Sequence, residues 1–352
     1  MKFLCKECWL AHEPSTLLAL CNECDARTQV RRLDPLKTKM AGSAGDGGEL
    51  VCRLHPEEPL EIYCGECRAQ VPPRAVMGPQ SVVALVGDTA SGKTSLLWIL
   101  TERLRQAASS GVVIRQSFGD SDEQLTRAMR EIVEHGGPRP TMKTDADVRN
   151  YAWELMTPDG ARDGWVIAFH DAAGEVWRDL GKTAREYEML HRYLGLVGAI
   201  VLAIDGERVA EALDTRGNGR GVASPDLLAA EAHEITIIDQ LARKIRARGY
   251  PVPVGVTVTK ADILWDRVEW ELFRRDSGAK PEEIDAAVRE LLARCGRQAL
   301  LAALTKSFAP LHFFAVSAFG HAPGVPLQLS ALQPSRVEEP LLAVLGADRV
   351  VA

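Results

Sequence analysis

The stretch Gly87-Asp-Thr-Ala-Ser-Gly92-Lys93-Thr94 constrains this chain more than any other. It follows the apolar run Ser81-Val-Val-Ala-Leu-Val and precedes Ser95-Leu-Leu-Trp-Ile-Leu. A buried strand therefore feeds a helix through a loop of pattern Gly-x4-Gly-Lys-Thr. Glycines let backbone N–H groups curl around phosphate oxygens, and the positive end of the helix dipole adds to them. Gly87, Asp88, Thr89, Ala90, Ser91, Gly92, Lys93, Thr94 and Ser95 are the expected phosphate-binding residues. Lys93 is expected to reach the β- and γ-phosphates and the Thr94 hydroxyl to ligate Mg²⁺.

Beyond residue 80, apolar runs alternate with amphipathic helical patterns, which predicts an α/β domain with a mainly parallel sheet. Strands are predicted at 81–87, 151–157, 165–171, 198–205, 252–259 and 311–317, the second and third forming a hairpin. Helices are predicted at 92–108, 120–135, 176–195, 225–248, 281–305 and 336–346, with 206–224 a mobile loop. The expected fold over 78–352 is that of a P-loop NTPase, with helices flanking the sheet. Ligands of such sheets bind at the carboxyl ends of strands. Three further motifs fall there: Asp171-Ala-Ala-Gly174-Glu175, Thr259-Lys260-Ala-Asp262 and Ser317-Ala318.

Taken in order, the four motifs resemble those of Ras-like, TRAFAC-class P-loop GTPases. The resemblance implies that Asp171 holds Mg²⁺ through water and that the Gly174 N–H senses the γ-phosphate. It also implies that Asp262 accepts hydrogen bonds from guanine N1–H and the exocyclic amine. Lys260 would lie along the base, and the Ala318 N–H would contact guanine O6. Three departures stand out. The intervals from Lys93 to Asp171 and from Asp262 to Ser317 are long, the first implying a helix inserted near 120–135. The switch-I threonine is not obvious: Thr141 is the choice and Thr144 the alternative. Glu175 stands where Ras carries the glutamine that orients water.

The helical insertions, the Asp-x-x-Gly-Glu motif and the ending Arg336-Val-Glu-Glu-Pro-Leu-Leu-Ala-Val-Leu resemble the double-GTPase family of bacterial multi-component conflict systems. That resemblance implies a nucleotide-gated switch acting among proteins encoded beside it. With Glu175 beside the γ-phosphate, slow hydrolysis of GTP to GDP is expected, and Lys93, Thr141, Gly174 and Glu175 are the expected catalytic residues. A partner or homodimer would supply an arginine or another group that positions water. A pseudo-GTPase scaffold that binds nucleotide without useful turnover is the alternative reading. A P-loop ATPase or kinase would leave Thr259-Lys260-Ala-Asp262 unexplained.

Seven of the eight cysteines precede residue 70. Cys5-x2-Cys8-x12-Cys21-x2-Cys24 spells a zinc-ribbon-like module of four cysteines over 1–38. Residues 39–50, rich in glycine, form a flexible linker. Cys52-x2-His55-x8-Cys64-x2-Cys67 resembles half of a B-box zinc finger, over 51–70. About two Zn²⁺ are therefore expected, each with four protein ligands and no open position for water. Cross-brace pairing between the two sets is the alternative. His12 reads as a surface histidine, with service as a substitute ligand the other option, and Cys295 as a small buried residue.

A net charge of −6 gives no global electrostatic footprint for nucleic acid. Arg27, Arg31, Arg32, Lys37 and Lys39 make only a modest basic run without interleaved aromatics. The expected partner is a protein, engaged through the zinc modules and switch segments. No apolar run reaches the roughly 18 residues of a membrane span, and the N-terminus lacks a signal-peptide core. A cytoplasmic protein is expected.

Overall fold

A computed structural model describes residues 3–5, 7–13, 16–23, 31–32, 40–41, 49–50, 55, 57, 60–71, 80–106, 112–117, 121–135, 149–156, 165–171, 192–217, 225–246, 251–321 and 332–346. The chain divides into two compact units. One is Met1–Val82 with Gly111–Glu123 and Asn150–Phe169; the other is Val83–Ser110 with Gln124–Arg149 and His170–Ala352.

The N-terminal strands are short: β1 (Phe3–Leu4), β2 (Ala11–His12), β3 (Leu18–Leu20), β4 (Arg31–Arg32), β5 (Met40–Ala41), β6 (Glu49–Leu50), β7 (Glu61–Tyr63) and β8 (Gln70–Val71). β1 pairs with β2 and β5 with β6, and an antiparallel sheet runs β4-β3-β7-β8. Its centre pairs Ala19 with Ile62, so strands from both cysteine-rich stretches share one sheet. Trp9, Leu17 and Ile62 are buried there, a core too small to hold such a segment without staples.

The large sheet contains β9 (Gln80–Gly87), β10 (Val113–Ser117), β11 (Arg149–Met156), β12 (Trp165–Asp171), β13 (Val197–Asp205), β14 (Val254–Thr259) and β15 (Leu311–Ala315). Its order is β10-β11-β12-β9-β13-β14-β15. β13, β14 and β15 are parallel, and their near-continuous apolar runs are buried as a helix-covered parallel sheet requires. β10 pairs antiparallel with β11, making the sheet mixed. β10 was not foreseen, because Val-Ile-Arg-Gln-Ser is too short and polar to show a period.

The helices are α1 (Lys93–Arg105), α2 (Ser121–His135), α3 (Gly206–Gly217), α4 (Pro225–Arg246), α5 (Pro281–Arg294), α6 (Gln298–Ser307) and α7 (Glu339–Val344). The inserted helix expected near 120–135 is α2, tied to β11 by the Ala152 N–H on Ser121 Oγ at 3.0 Å and Trp153 Nε1 on Asp122 at 3.2 Å. Two expectations need correction. The expected loop at 206–224 is helical over Gly206–Gly217, where Val209, Ala210 and Ala212 are buried; its terminal glycines concealed the apolar stripe. The helix expected at 281–305 is two. Gly296, with φ 73°, donates to Ala293 O at 2.9 Å, and Arg297 N donates to Leu292 O at 2.9 Å, ending α5 in a Schellman turn. The hairpin turn expected after residue 156 and most of the helix expected at 176–195 lie outside the described residues. Among the described residues, no helix is long and apolar enough to cross a membrane.

Candidate functional site

The parallel register pairs Asp205 with Thr259 and Val258 with Ala315, bringing the carboxyl ends of β13, β14 and β15 level. β9 ends at Gly87, and the loop that follows passes through Gly92, with φ 77°, into α1. A Cβ on Gly87 would stand 2.5 Å from Ala203 O and 2.7 Å from Ser91 Oγ, so no larger residue fits. Lys93 Nζ lies inside the curl and donates to Gly87 O at 2.9 Å and Asp88 O at 2.8 Å, with Ser91 Oγ at 3.4 Å. Ser91 Oγ donates to Asp88 O at 2.8 Å. Thr89 and Ala90 form the turn, while Thr94 and Ser95 occupy the first turn of α1.

At the end of β14, the Thr259 hydroxyl donates to Ser91 O at 2.8 Å, with Ile204 O at 3.1 Å. One side chain thus joins the Thr-Lys-x-Asp motif to the Gly87–Ser95 loop. Lys260 adopts φ 52° and places Nζ 3.1 Å from Asp205 Oδ1 and 3.0 Å from Glu207 Oε2. The Asp262 carboxylate accepts a short hydrogen bond from Ser317 Oγ, and that oxygen accepts the Gly320 N–H at 2.8 Å. Ala318 follows, half-buried. The loop, Thr259, Lys260, Asp262 and Ser317 are thereby brought together at one edge of the sheet, and Asp171 closes β12. Thr141, Thr144, Gly174 and Glu175 lie outside the described residues.

Sequence reasoning missed Asp205, Glu207 and Arg208. Arg208 Nη1 donates to Asp88 Oδ2 at 2.8 Å, and Asp88 Oδ1 accepts the Thr89 N–H at 2.8 Å. The available signal was position: Asp205-Gly206-Glu207-Arg208 follows a parallel strand directly, where ligand-facing residues concentrate. Gly206 is required by close approach, since a Cβ there would meet Thr259 O at 2.1 Å. Behind these residues, Glu234 and Arg297 form a buried ion pair at 2.6 Å. Burial pushes the Glu234 carboxyl up to about 7, against the opposing pull of Arg297 and Arg208.

The cysteines group differently from their order in sequence. Cys5, Cys8, Cys64 and Cys67 bring their sulfurs within 4.8 Å of one another, while Cys21 lies apart with its Sγ 3.4 Å from His55 Nδ1. The reason is the β3–β7 pairing, which carries the knuckle after β7 to the knuckle after β1. The knuckles match. Cys5 N donates to Leu10 O at 3.2 Å and Trp9 N to Cys5 O at 2.9 Å; Cys64 N donates to Ala69 O at 2.8 Å and Arg68 N to Cys64 O at 3.0 Å. Trp9 and Arg68 both have positive φ.

Sulfurs on one tetrahedral Zn²⁺ at about 2.3 Å stand roughly 3.8 Å apart. Cys5–Cys67 at 3.6 Å and Cys8–Cys64 at 3.8 Å fit that geometry, and all four are free thiols. His12 is no bystander: its Nε2 lies 3.3 Å from Cys64 Sγ and 3.6 Å from Cys8 Sγ. Cys24 and Cys52 lie outside the described residues.

The family model of Double-GTPase 2 matches residues 81–325, well over half of the chain. The chain belongs to that family. As a Double-GTPase 2 protein it is a P-loop GTPase, GTP-binding and switch-like, with an N-terminal cysteine cluster able to hold a metal. No curated protein matches it by sequence. Among solved structures, this Double-GTPase 2 chain is similar to the Arl6 BBS3 small GTPase of Trypanosoma brucei with bound GppNp, at 13% identity and TM-score 0.34, over 78% of this chain and 99% of that one. It is also similar to the GTP-bound GTPase-like domain of S. cerevisiae Ski7, at 14% identity and TM-score 0.36, over 68% of this chain and 43% of that one. The family assignment rests on the family model and not on these distant likenesses.

Proposed function

We propose that the chain is a molecular switch cycling between GTP and GDP, with slow intrinsic hydrolysis and a zinc-bearing N-terminal region that engages a protein partner. The observation that carries this reading is the Thr259 hydroxyl on the Ser91 carbonyl at 2.8 Å, which supports taking Gly87–Ser95 and Thr259–Asp262 as parts of one nucleotide site. Asp262, held by Ser317, faces the demands of guanine: two donors on one base edge and a carboxylate to accept them. Adenine has no such pair. Thr94 and Asp171 are the proposed Mg²⁺ residues, and the ion would neutralise phosphate charge there. Thr141, Gly174 and Glu175 are the proposed γ-phosphate-sensing residues. With glutamate in place of the water-orienting glutamine, hydrolysis stays slow until a protein partner, or a second copy of the chain, completes the site. Cys21 and His55, with Cys24 and Cys52 at Cys-x-x-Cys and Cys-x-x-His spacing, are the proposed second Zn²⁺ set. That gives two ions across residues 1–70 of a cytoplasmic protein.

The test is the nucleotide and metal content of the purified full chain, followed by competition between GTP and ATP. Guanine nucleotide that ATP cannot displace, with zinc present, is the expected result. Equal competition by ATP would overturn the base assignment, and fast single-turnover hydrolysis by the isolated monomer would remove the need for a partner.

A further inference from the structure

A carboxylate inside a phosphate-binding loop adds negative charge where a polyanion must bind. The loop works by presenting backbone N–H groups and a lysine to a polyanion, and a fixed negative charge beside them opposes that polyanion. Asp88 is such a residue, second in the loop. Its side chain is only 7% exposed, so water screens it little, whereas Arg208 is 29% exposed. Asp88 also uses a loop donor, since its Oδ1 accepts the Thr89 N–H.

Opposing Asp88 is a residue 120 positions away in sequence, Arg208 in the first turn of α3, at 2.8 Å. The start of α3 is fixed tightly, because Gly206 packs on Thr259 O and Asp205 accepts the Glu207 N–H at 3.1 Å. Arg208 also lies in the field of Asp205 and Glu234, and Glu234 is itself paired with Arg297. Acidic and basic side chains therefore alternate from the loop into the interior: Asp88, Arg208, Glu234, Arg297.

We propose that Arg208 is the counterion of Asp88, a positioning residue that cancels and orients the loop carboxylate so that the loop can accept phosphate. This rests on the reading of Gly87–Ser95 as the nucleotide phosphate site. A merely structural ion pair would affect stability alone. A counterion affects affinity in proportion to the charge of the ligand, and its loss is repaired by removing the charge it opposes.

The experiment uses the full chain with Mg²⁺ and fluorescent GTP and GDP analogues. Arg208→Ala is expected to weaken binding of the GTP analogue about tenfold, and of the GDP analogue by less. Arg208→Lys should retain most of the affinity. The decisive variant is Asp88→Asn combined with Arg208→Ala, expected to recover affinity to within about threefold of wild type, a strongly non-additive outcome. If Arg208→Ala binds as wild type does, or the double variant is as weak as Arg208→Ala alone, the proposal falls. Should Arg208→Ala fail to fold, the double variant and Arg208→Lys still decide it, because both must bind near wild-type strength. A wild-type chain that binds neither analogue would instead bring down the nucleotide-site reading itself.

Discussion

Ser317 Oγ donates a short hydrogen bond to Asp262 Oδ1 while accepting the Gly320 N–H at 2.8 Å. The relay matters because it fixes the direction of a carboxylate 55 residues away in sequence. Asp262 sits in a 3-10 turn beginning at Ala261, whose N–H bonds Val316 O at 3.0 Å. Two strand ends therefore hold one acceptor.

Asp262→Asn should weaken GTP binding by about 2–4 kcal/mol and shift preference toward xanthosine nucleotides, since an amide donor suits the extra carbonyl. Ser317→Ala should cost less, about 1 kcal/mol, because the acceptor remains and only its orientation is lost. Competition titration with GTP, ATP and XTP checks both. An Asp262→Asn variant with wild-type GTP affinity would show that Asp262 does not read the base.

Much of this site was legible in the sequence because each motif closes an apolar strand, and parallel strands bring their ends level. The residues from Gly87 to Ser95, Thr259, Lys260, Asp262 and Ser317 all meet for that reason. Arg208 was not legible. Its role depends on a helix whose glycine start looks like a loop and on an ion pair with no sequence period. The cysteines fail in another way. Spacing within each pair shows local knuckles, but which knuckles share an ion depends on the β3–β7 pairing, and strands of three residues leave no readable pattern.

Paired substitutions separate the two zinc arrangements. In the grouping of Cys5, Cys8, Cys64 and Cys67, Cys5→Ser with Cys64→Ser strikes a single site, and one Zn²⁺ per chain should remain. Sequential modules would instead lose both ions in that double variant. Cys5→Ser with Cys21→Ser gives the converse, with both ions lost when the sites are crossed. Metal analysis of the purified variants reads this directly. Chelation of the wild type should disorder the N-terminal region and leave GTP binding largely intact.

Gly206→Ala tests the close approach at the start of α3. A methyl group 2.1 Å from Thr259 O forces the end of β14 or the helix start to move. The shift should destabilise the fold by roughly 1–3 kcal/mol and loosen nucleotide binding, because Thr259 carries the contact to Ser91. Thermal melts with and without GDP check it. A variant with unchanged melting temperature and unchanged GDP stabilisation would mean that the Gly206 contact is not rigid.

The buried pair of Glu234 and Arg297 makes stability depend on pH in a direction opposite to the usual carboxylate case. Burial raises the Glu234 carboxyl in the folded state from an ordinary 4.5 to about 7. The folded chain thus keeps a proton that the unfolded chain has already released. Stability from this group is fully present below pH 4.5 and is lost as pH rises through about 7. Glu234→Gln mimics the protonated acid and cannot titrate. The wild type and Glu234→Gln should therefore melt at similar temperatures near pH 4, with the variant gaining on the wild type as pH approaches 7.5. If the gap between the two melting temperatures stays constant from pH 5 to 7.5 instead, the guanidinium 2.6 Å away outweighs burial and the pair is ionised throughout that range.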